Sequence, residues 1–195
     1  MHPEILSITL FGIVAAFTPG PNNFVAFYSG FNFGIKRTLP HIMGVTFGFP
    51  FLLLCIALGF INIFKLYPLI QLILKYLGTI FLIYLAYKIA TADVSNDESK
   101  RNPVTFYDTF IFQFINPKGV MAAITLISKF VDQDNYFQTS LMVIFVCSFT
   151  AFLSITAWTL LGKFLRKFAA NNSFIKRFNY GMSVLILVCI IGFYI

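Results

Sequence analysis

Residues 5–35 carry no charged side chain. Such a run is too long and too apolar for a helix of an ordinary water-soluble domain, and it reads as a membrane crossing. Its inner half is interrupted by Thr18-Pro19-Gly20-Pro21-Asn22-Asn23. Proline lacks a backbone N–H and clashes with the preceding turn, so nearby carbonyls lose their helical partners. In hydrocarbon such groups are costly, and a broken helix persists only where it is buried in protein or lines a wet cavity. The break is expected to form one wall of a substrate site. The plainer alternative is a proline kink that only shapes packing.

The rest of the chain has the same character. Of its 195 residues, 58% are hydrophobic and 11% charged, against about 25% charged in soluble domains. Mean hydropathy is +0.84. Crossings are expected at 5–31, 39–64, 67–89, 105–130, 137–161 and 178–195. Six spans of about 20 residues use about 120, which leaves short loops and no separate soluble domain. The expected fold is an all-α integral membrane protein of six transmembrane helices.

A net charge of +7 would suggest nucleic acid as a partner for a soluble protein, but here the basic residues crowd into loops. Lys36, Arg37, Lys88, Lys100, Arg101, Lys163, Arg166, Lys167, Lys176 and Arg177 follow crossings one, three and five. Lys65, Lys75 and Lys129 lie on the opposite side. Ten against three places the first set in the cytoplasm and both termini on the outer side. The start, Met1-His2-Pro3-Glu4, lacks the positive region of a secretory signal, so the first crossing is expected to be retained. Cys55, Cys147 and Cys189 fall in separate apolar runs and are expected to be free thiols; no metal or cofactor is implied.

Two halves of three crossings must face opposite ways, because three is odd. Residues 1–91 form the first expected repeat, 92–104 a solvated cytoplasmic connection with Asp93, Asp97 and Glu98, and 105–195 the second. Leu58-Gly59 and Leu161-Gly162 stand 103 positions apart, as do Gly78 and Gly181. Thr18-Pro19-Gly20 pairs with Asn116-Pro117-Lys118 at an offset of 98. Both halves therefore carry a polar, proline-broken segment in their first crossing, the pattern of a midplane site in secondary transporters built from inverted repeats. In the second crossing Gly44 and Gly48 have the spacing that lets helix backbones approach, and Pro50 is expected to bend that helix.

With these residues in hand, the chain resembles the lysine-exporter (LysE/RhtB) family of bacterial amino-acid exporters. The resemblance rests on Thr18-Pro19-Gly20-Pro21-Asn22-Asn23, on Gly44 to Gly48, and on Gln113-Phe114-Ile115-Asn116-Pro117-Lys118 after the hydrophilic connection. Together with Leu85-Ala86-Tyr87-Lys88-Ile89-Ala90-Thr91, these segments look most like exporters of cysteine and O-acetylserine. The resemblance implies proton-motive-force-driven export of amino acids or close derivatives across the bacterial cytoplasmic membrane. The partners it implies are an amino acid, protons and membrane lipid, with a homodimer allowed.

An amino acid presents a carboxylate and an ammonium. Helix N-termini suit the first; carbonyls freed before Pro19 and Pro21, with the amide oxygens of Asn22, Asn23 and Asn116, suit the second. The candidate substrate site is Thr18, Pro19, Gly20, Pro21, Asn22, Asn23, Gln113, Asn116, Pro117 and Lys118. Lys118, deep in its crossing, is either a carboxylate anchor or proton-sensitive group, or a lysine snorkelling to an interface. Asp108 reads as a cytoplasmic-rim residue, His41 as an interfacial polar residue, and Trp158 as an interface anchor. A membrane enzyme lacks its nucleophile and base here. A metal-ion exporter or a non-transporting scaffold remains as an alternative.

Overall fold

The computed structural model describes residues 3–60, 66, 68–92, 103–169 and 171–194. Among them every regular element is helical: α1 (Pro3–Phe17), α2 (Pro21–Cys55) with a π-type turn at Ile56–Phe60, α3 (Pro68–Ala90), α4 (Phe106–Ile115), α5 (Pro117–Phe130), α6 (Tyr136–Arg166) and α7 (Asn172–Ile191). The charged connection with Asp93, Asp97, Glu98, Lys100 and Arg101 lies outside the described residues, as does Lys65.

Polar side chains are buried beside the apolar core, and large apolar ones are exposed in rows. Ser29, Thr38, Ser140, Thr159 and Asn179 are buried, whereas Leu10 and Val14, Phe47 and Phe51, Ile80 and Ile83, Phe145 and Phe149 face outward. In water those outward rows would be large sticky patches. In a bilayer lipid tails solvate them, and small and polar residues hold the helices together. Four helices are long and apolar enough to cross a membrane, five when α4 and α5 count as one bent span.

That count takes α2 as one rod, and α2 is folded. A straight helix would separate Asn22 from His41 by about 28 Å; instead His41 Nε2 lies 3.2 Å from the Asn22 carbonyl oxygen. The reversal is at Gly34, where φ is +70° and ψ −178°, a conformation that costs a residue with a Cβ far more than it costs glycine. Elsewhere in α2 the dihedrals stay helical, including at Pro40 and Pro50. No departure in the dihedrals marks the bend expected at Pro50; within the second crossing the departure is at Gly59, where φ is +102°, and Gly34 makes the turn between the first two crossings. Proline at the outer face of a turn keeps helical φ, while only glycine supplies the positive φ that reverses the chain.

Close contacts fix the relative directions. Gly12 faces Cys147 and Thr150, and Gly30 faces Thr159, so α1 and the first arm of α2 run parallel to α6. Gly44 faces Phe106 and Thr109, and Gly48 faces Phe110 and Gln113, so the second arm runs parallel to α4. Ser183 Oγ donates to the Ala86 carbonyl at 2.8 Å and Thr79 Oγ1 meets the Tyr194 hydroxyl at 3.1 Å, so α3 and α7 are antiparallel. The spacing read at Gly44 and Gly48 serves this approach: a Cβ at Gly44 would stand 2.9 Å from the Phe106 carbonyl oxygen.

The apolar core divides into two large clusters. One gathers Ile8, Leu52, Ile56, Leu126 and Val143. The other gathers Val25, Leu82, Ala86, Phe112 and Ile186.

Candidate functional site

The first break lies between α1 and α2. The Thr18 N–H still reaches the Val14 carbonyl at 3.1 Å; Pro19 then has no N–H to give. Gly20 is extended and Pro21 occupies the first helical position of α2, where a missing donor costs nothing. The ladder restarts with Phe24 N–H to the Gly20 carbonyl at 3.0 Å, so the N–H groups of Asn22 and Asn23 point out of the helix end without a ladder partner. The carbonyls freed upstream carry side-chain donors. Ala16 accepts from Asn23 Nδ2 and from Ser154 Oγ, both at 2.8 Å. Thr18 accepts from Asn23 Nδ2 at 3.0 Å and from Lys118 Nζ, and Pro19 from Lys118 Nζ at 3.4 Å.

The second break is shorter. α4 opens with a capping box in which Thr105 and Asp108 satisfy each other's backbone N–H; this assigns Asp108 a helix-capping task at the start of its crossing. The helix stops at Ile115, Asn116 is extended, Pro117 takes the first position of α5, and the chain turns by 63°. Asn116 is 3% exposed, its side chain makes no cap bond, and its Oδ1 has no partner. The N–H groups of Lys118 and Gly119 stand free of the ladder, as those of Asn22 and Asn23 do. The two breaks match at both edges: Phe17 and Ile115 end the first half-helices, and Pro21 and Pro117 begin the second. In helix position Pro117 matches Pro21, at an offset of 96, rather than Pro19. The first break is simply two residues longer.

The two breaks face one cavity of about 80 Å³, lined by α1, both arms of α2, α4, α5 and α6. Asn22 Nδ2 donates to Gln113 Oε1 at 2.9 Å across it, and Gln113 Nε2 is held by the Thr109 carbonyl at 2.8 Å. Of the expected residues, Gly20, Pro21, Asn22, Asn23, Gln113, Asn116 and Lys118 line this space. Pro19 and Pro117 face a second, larger cavity, and Thr18 lines neither, offering its carbonyl instead. Two uncapped helix N-termini on one enclosure make it attractive to an anion. Asn116 Oδ1 adds an acceptor for a cation, so the space has complementary groups for both ends of a zwitterion.

The structure places His41 differently from its expected position, gives Trp158 its partners and adds two residues to the cavity lining. His41 is 2% exposed, with Nδ1 at 2.8 Å from Thr109 Oγ1 and Nε2 at 3.2 Å from the Asn22 carbonyl. It is a buried clamp between the arms of α2, not an interfacial residue; the Gly34 reversal moves it there. Trp158 is half-buried and packs edge-on against Phe24 and Phe27 at 6.1 and 6.0 Å, which ties α6 to the first arm of α2. Ser154 and Thr150, one turn apart on α6, line the cavity and were passed over because α6 has no break or charge to mark it. Their i, i+4 spacing was the available signal. Cys55, Cys147 and Cys189 are free; Cys147 lines the first cavity and Cys189 the second.

A lipid-facing helical protein with a cavity that carries polar groups between two broken helices has the layout of a small-solute transporter. The profile of the LysE type translocator family matches residues 13–195, and the chain belongs to that family, which is one of transporters rather than enzymes. It is 32% identical to the cysteine/O-acetylserine efflux protein of Escherichia coli (strain K12) over 133 residues, covering 67% of this chain and 68% of that one. It is 27% identical to the protein of the same description from Salmonella choleraesuis (strain SC-B67) over 192 residues, 97% of each chain. No solved structure matches it.

Proposed function

We propose that the chain exports amino acids or close derivatives of the cysteine and O-acetylserine class across the bacterial cytoplasmic membrane, driven by the proton motive force. The observation that carries this reading is the cavity bordered by two uncapped helix N-termini and by Asn116, whose buried Oδ1 has no partner. The substrate carboxylate sits at the N–H groups of Asn22, Asn23, Lys118 and Gly119, and the ammonium at Asn116 Oδ1. Asn22, Gln113 and Ser154 complete the polar lining.

In this reading α1 with the first arm of α2 is one crossing, the second arm another, and α4 with α5 a third; α3, α6 and α7 bring the number to six. Residues 1–91 and 105–195 then form two inverted repeats joined by 92–104, with both termini on the outer side. Support comes from the paired N1 prolines, and from the two parallel contacts (first crossing with fifth, second with fourth), which a two-fold axis in the membrane plane would exchange. Efflux of labelled amino acids from preloaded vesicles, across a substrate panel with and without a proton gradient, tests it. Gradient-dependent efflux of O-acetylserine or cysteine is expected. Equal retention of every panel member with and without the protein would refute it.

A further inference from the structure

Beside the first cavity lies a second of about 810 Å³, between α3, α5 and α7. Among the described residues, Gly20, Pro21 and Lys118 alone border both. The Lys118 ammonium spans the gap between the two breaks, donating to the carbonyls of Thr18 and Pro19 on the opposite chain segment. Gly20 makes room for it: a Cβ there would stand 3.0 Å from both Cδ and Nζ of Lys118. Gly20 is extended at φ −172°, which any residue adopts, so what its position calls for is space. The second cavity has an apolar lining with Gln71 and Lys75 as its other polar members. At about ten times the volume of the first cavity, it has the dimensions of a vestibule.

We propose that Lys118 is the latch between the two cavities, and that a zwitterion opens it by exchange. This rests on the proposed function and adds the device that selects the substrate. With the latch closed, the Thr18 and Pro19 carbonyls hold one ammonium. While an amino acid passes between the cavities, before it reaches its seat at the two helix N-termini, its carboxylate pairs with Lys118 Nζ and its own ammonium takes over the two carbonyls. Each charged group ends with an opposite charge or an acceptor, so the exchange leaves nothing buried and unpaired. An amine without the carboxylate would bring a second cation against Lys118. An acid without the ammonium would draw Lys118 away, strand the Pro19 carbonyl and leave Thr18 with Asn23 Nδ2 alone. Both cases carry an uncompensated group in a low-dielectric space.

Native cysteines report on the two spaces, Cys147 on the first cavity and Cys189 on the second. Vesicles of each orientation are treated with an impermeant methanethiosulfonate reagent, and labelling is read by mass spectrometry with Cys55 as the reference. From the face that labels Cys189, Lys118→Met should raise the Cys147 rate at least tenfold, and Lys118→Arg should leave it low. Gly20→Ala, whose added methyl displaces the lysine, should raise it too, and serves if Lys118→Met does not insert. An unchanged Cys147 rate in both opened variants overturns the latch. O-acetyl-L-serine should speed Cys147 labelling in the wild type, whereas 2-aminoethyl acetate and 3-acetoxypropanoate should not. If either half-molecule works as well, the exchange is wrong. If O-acetyl-L-serine is neither exported nor effective while Lys118→Met still opens the path, the substrate assignment fails and the latch stands.

Discussion

Replacing Asn116 with leucine separates the cost of the site from its use. In the structure Asn116 Oδ1 is buried at 3% exposure with no partner, and a buried acceptor left unsatisfied costs about 1–3 kcal/mol. The residue is the N-cap of α5 but makes no cap hydrogen bond, so its removal forfeits no capping energy. Asn116→Leu should therefore hold or raise stability, by up to about 3 kcal/mol if the whole penalty is relieved. Transport should move the other way. A hydrogen bond to a charged group is worth about 1.5–3 kcal/mol, which at about 1.4 kcal/mol per decade is a roughly tenfold to hundredfold loss of efflux. Thermal unfolding in detergent, followed by the fluorescence of Trp158, the single tryptophan, gives the first number. Efflux from preloaded vesicles gives the second. A variant that unfolds earlier yet exports at the wild-type rate would refute the reasoning, because Asn116 would then be a structural residue.

Asn22→Leu and Gln113→Leu each break the amide pair across the cavity, and a double-mutant cycle on thermal stability should show a coupling of about 1 kcal/mol, with efflux lost in both singles; additivity would mean the pair does not hold the enclosure. Gly162→Leu should prevent folding, since even a Cβ there would stand 2.0 Å from the Phe27 carbonyl oxygen; wild-type yield and elution in size-exclusion chromatography would contradict the close approach of α2 and α6. His41→Leu removes the bond between the arms of α2 and should cost about 1 kcal/mol and slow efflux. His41→Gln, which can donate to the same carbonyl, should recover most of both, and equal behaviour of the two variants would argue against the clamp.

The sequence carried the crossings and the breaks for physical reasons. Apolar length specifies a span, and proline with asparagine in hydrocarbon specifies a break that must be satisfied somewhere, which made Gly20, Pro21, Asn22, Asn23, Gln113, Asn116 and Lys118 legible as cavity residues. Less legible was anything that depends on which faces meet. His41 looked interfacial because its burial follows from the reversal at Gly34, and no local pattern states how tightly a chain turns back. Ser154 and Thr150 are ordinary polar residues in an unbroken helix; only the docking of α1 onto α6 brings them to the cavity. The Thr18 and Pro19 carbonyls, read as free for a ligand, carry the Lys118 ammonium, a contact between residues about a hundred positions apart.

The central claim is that the two helix breaks hold the substrate between them. An experimental map of the protein in a lipid nanodisc with O-acetyl-L-serine tests it most directly. Density for the amino acid between the α2 and α5 N-termini, within hydrogen-bonding reach of Asn116 and Asn22, is the result predicted here. Density at a different place, with both breaks packed shut or turned toward lipid, would contradict it.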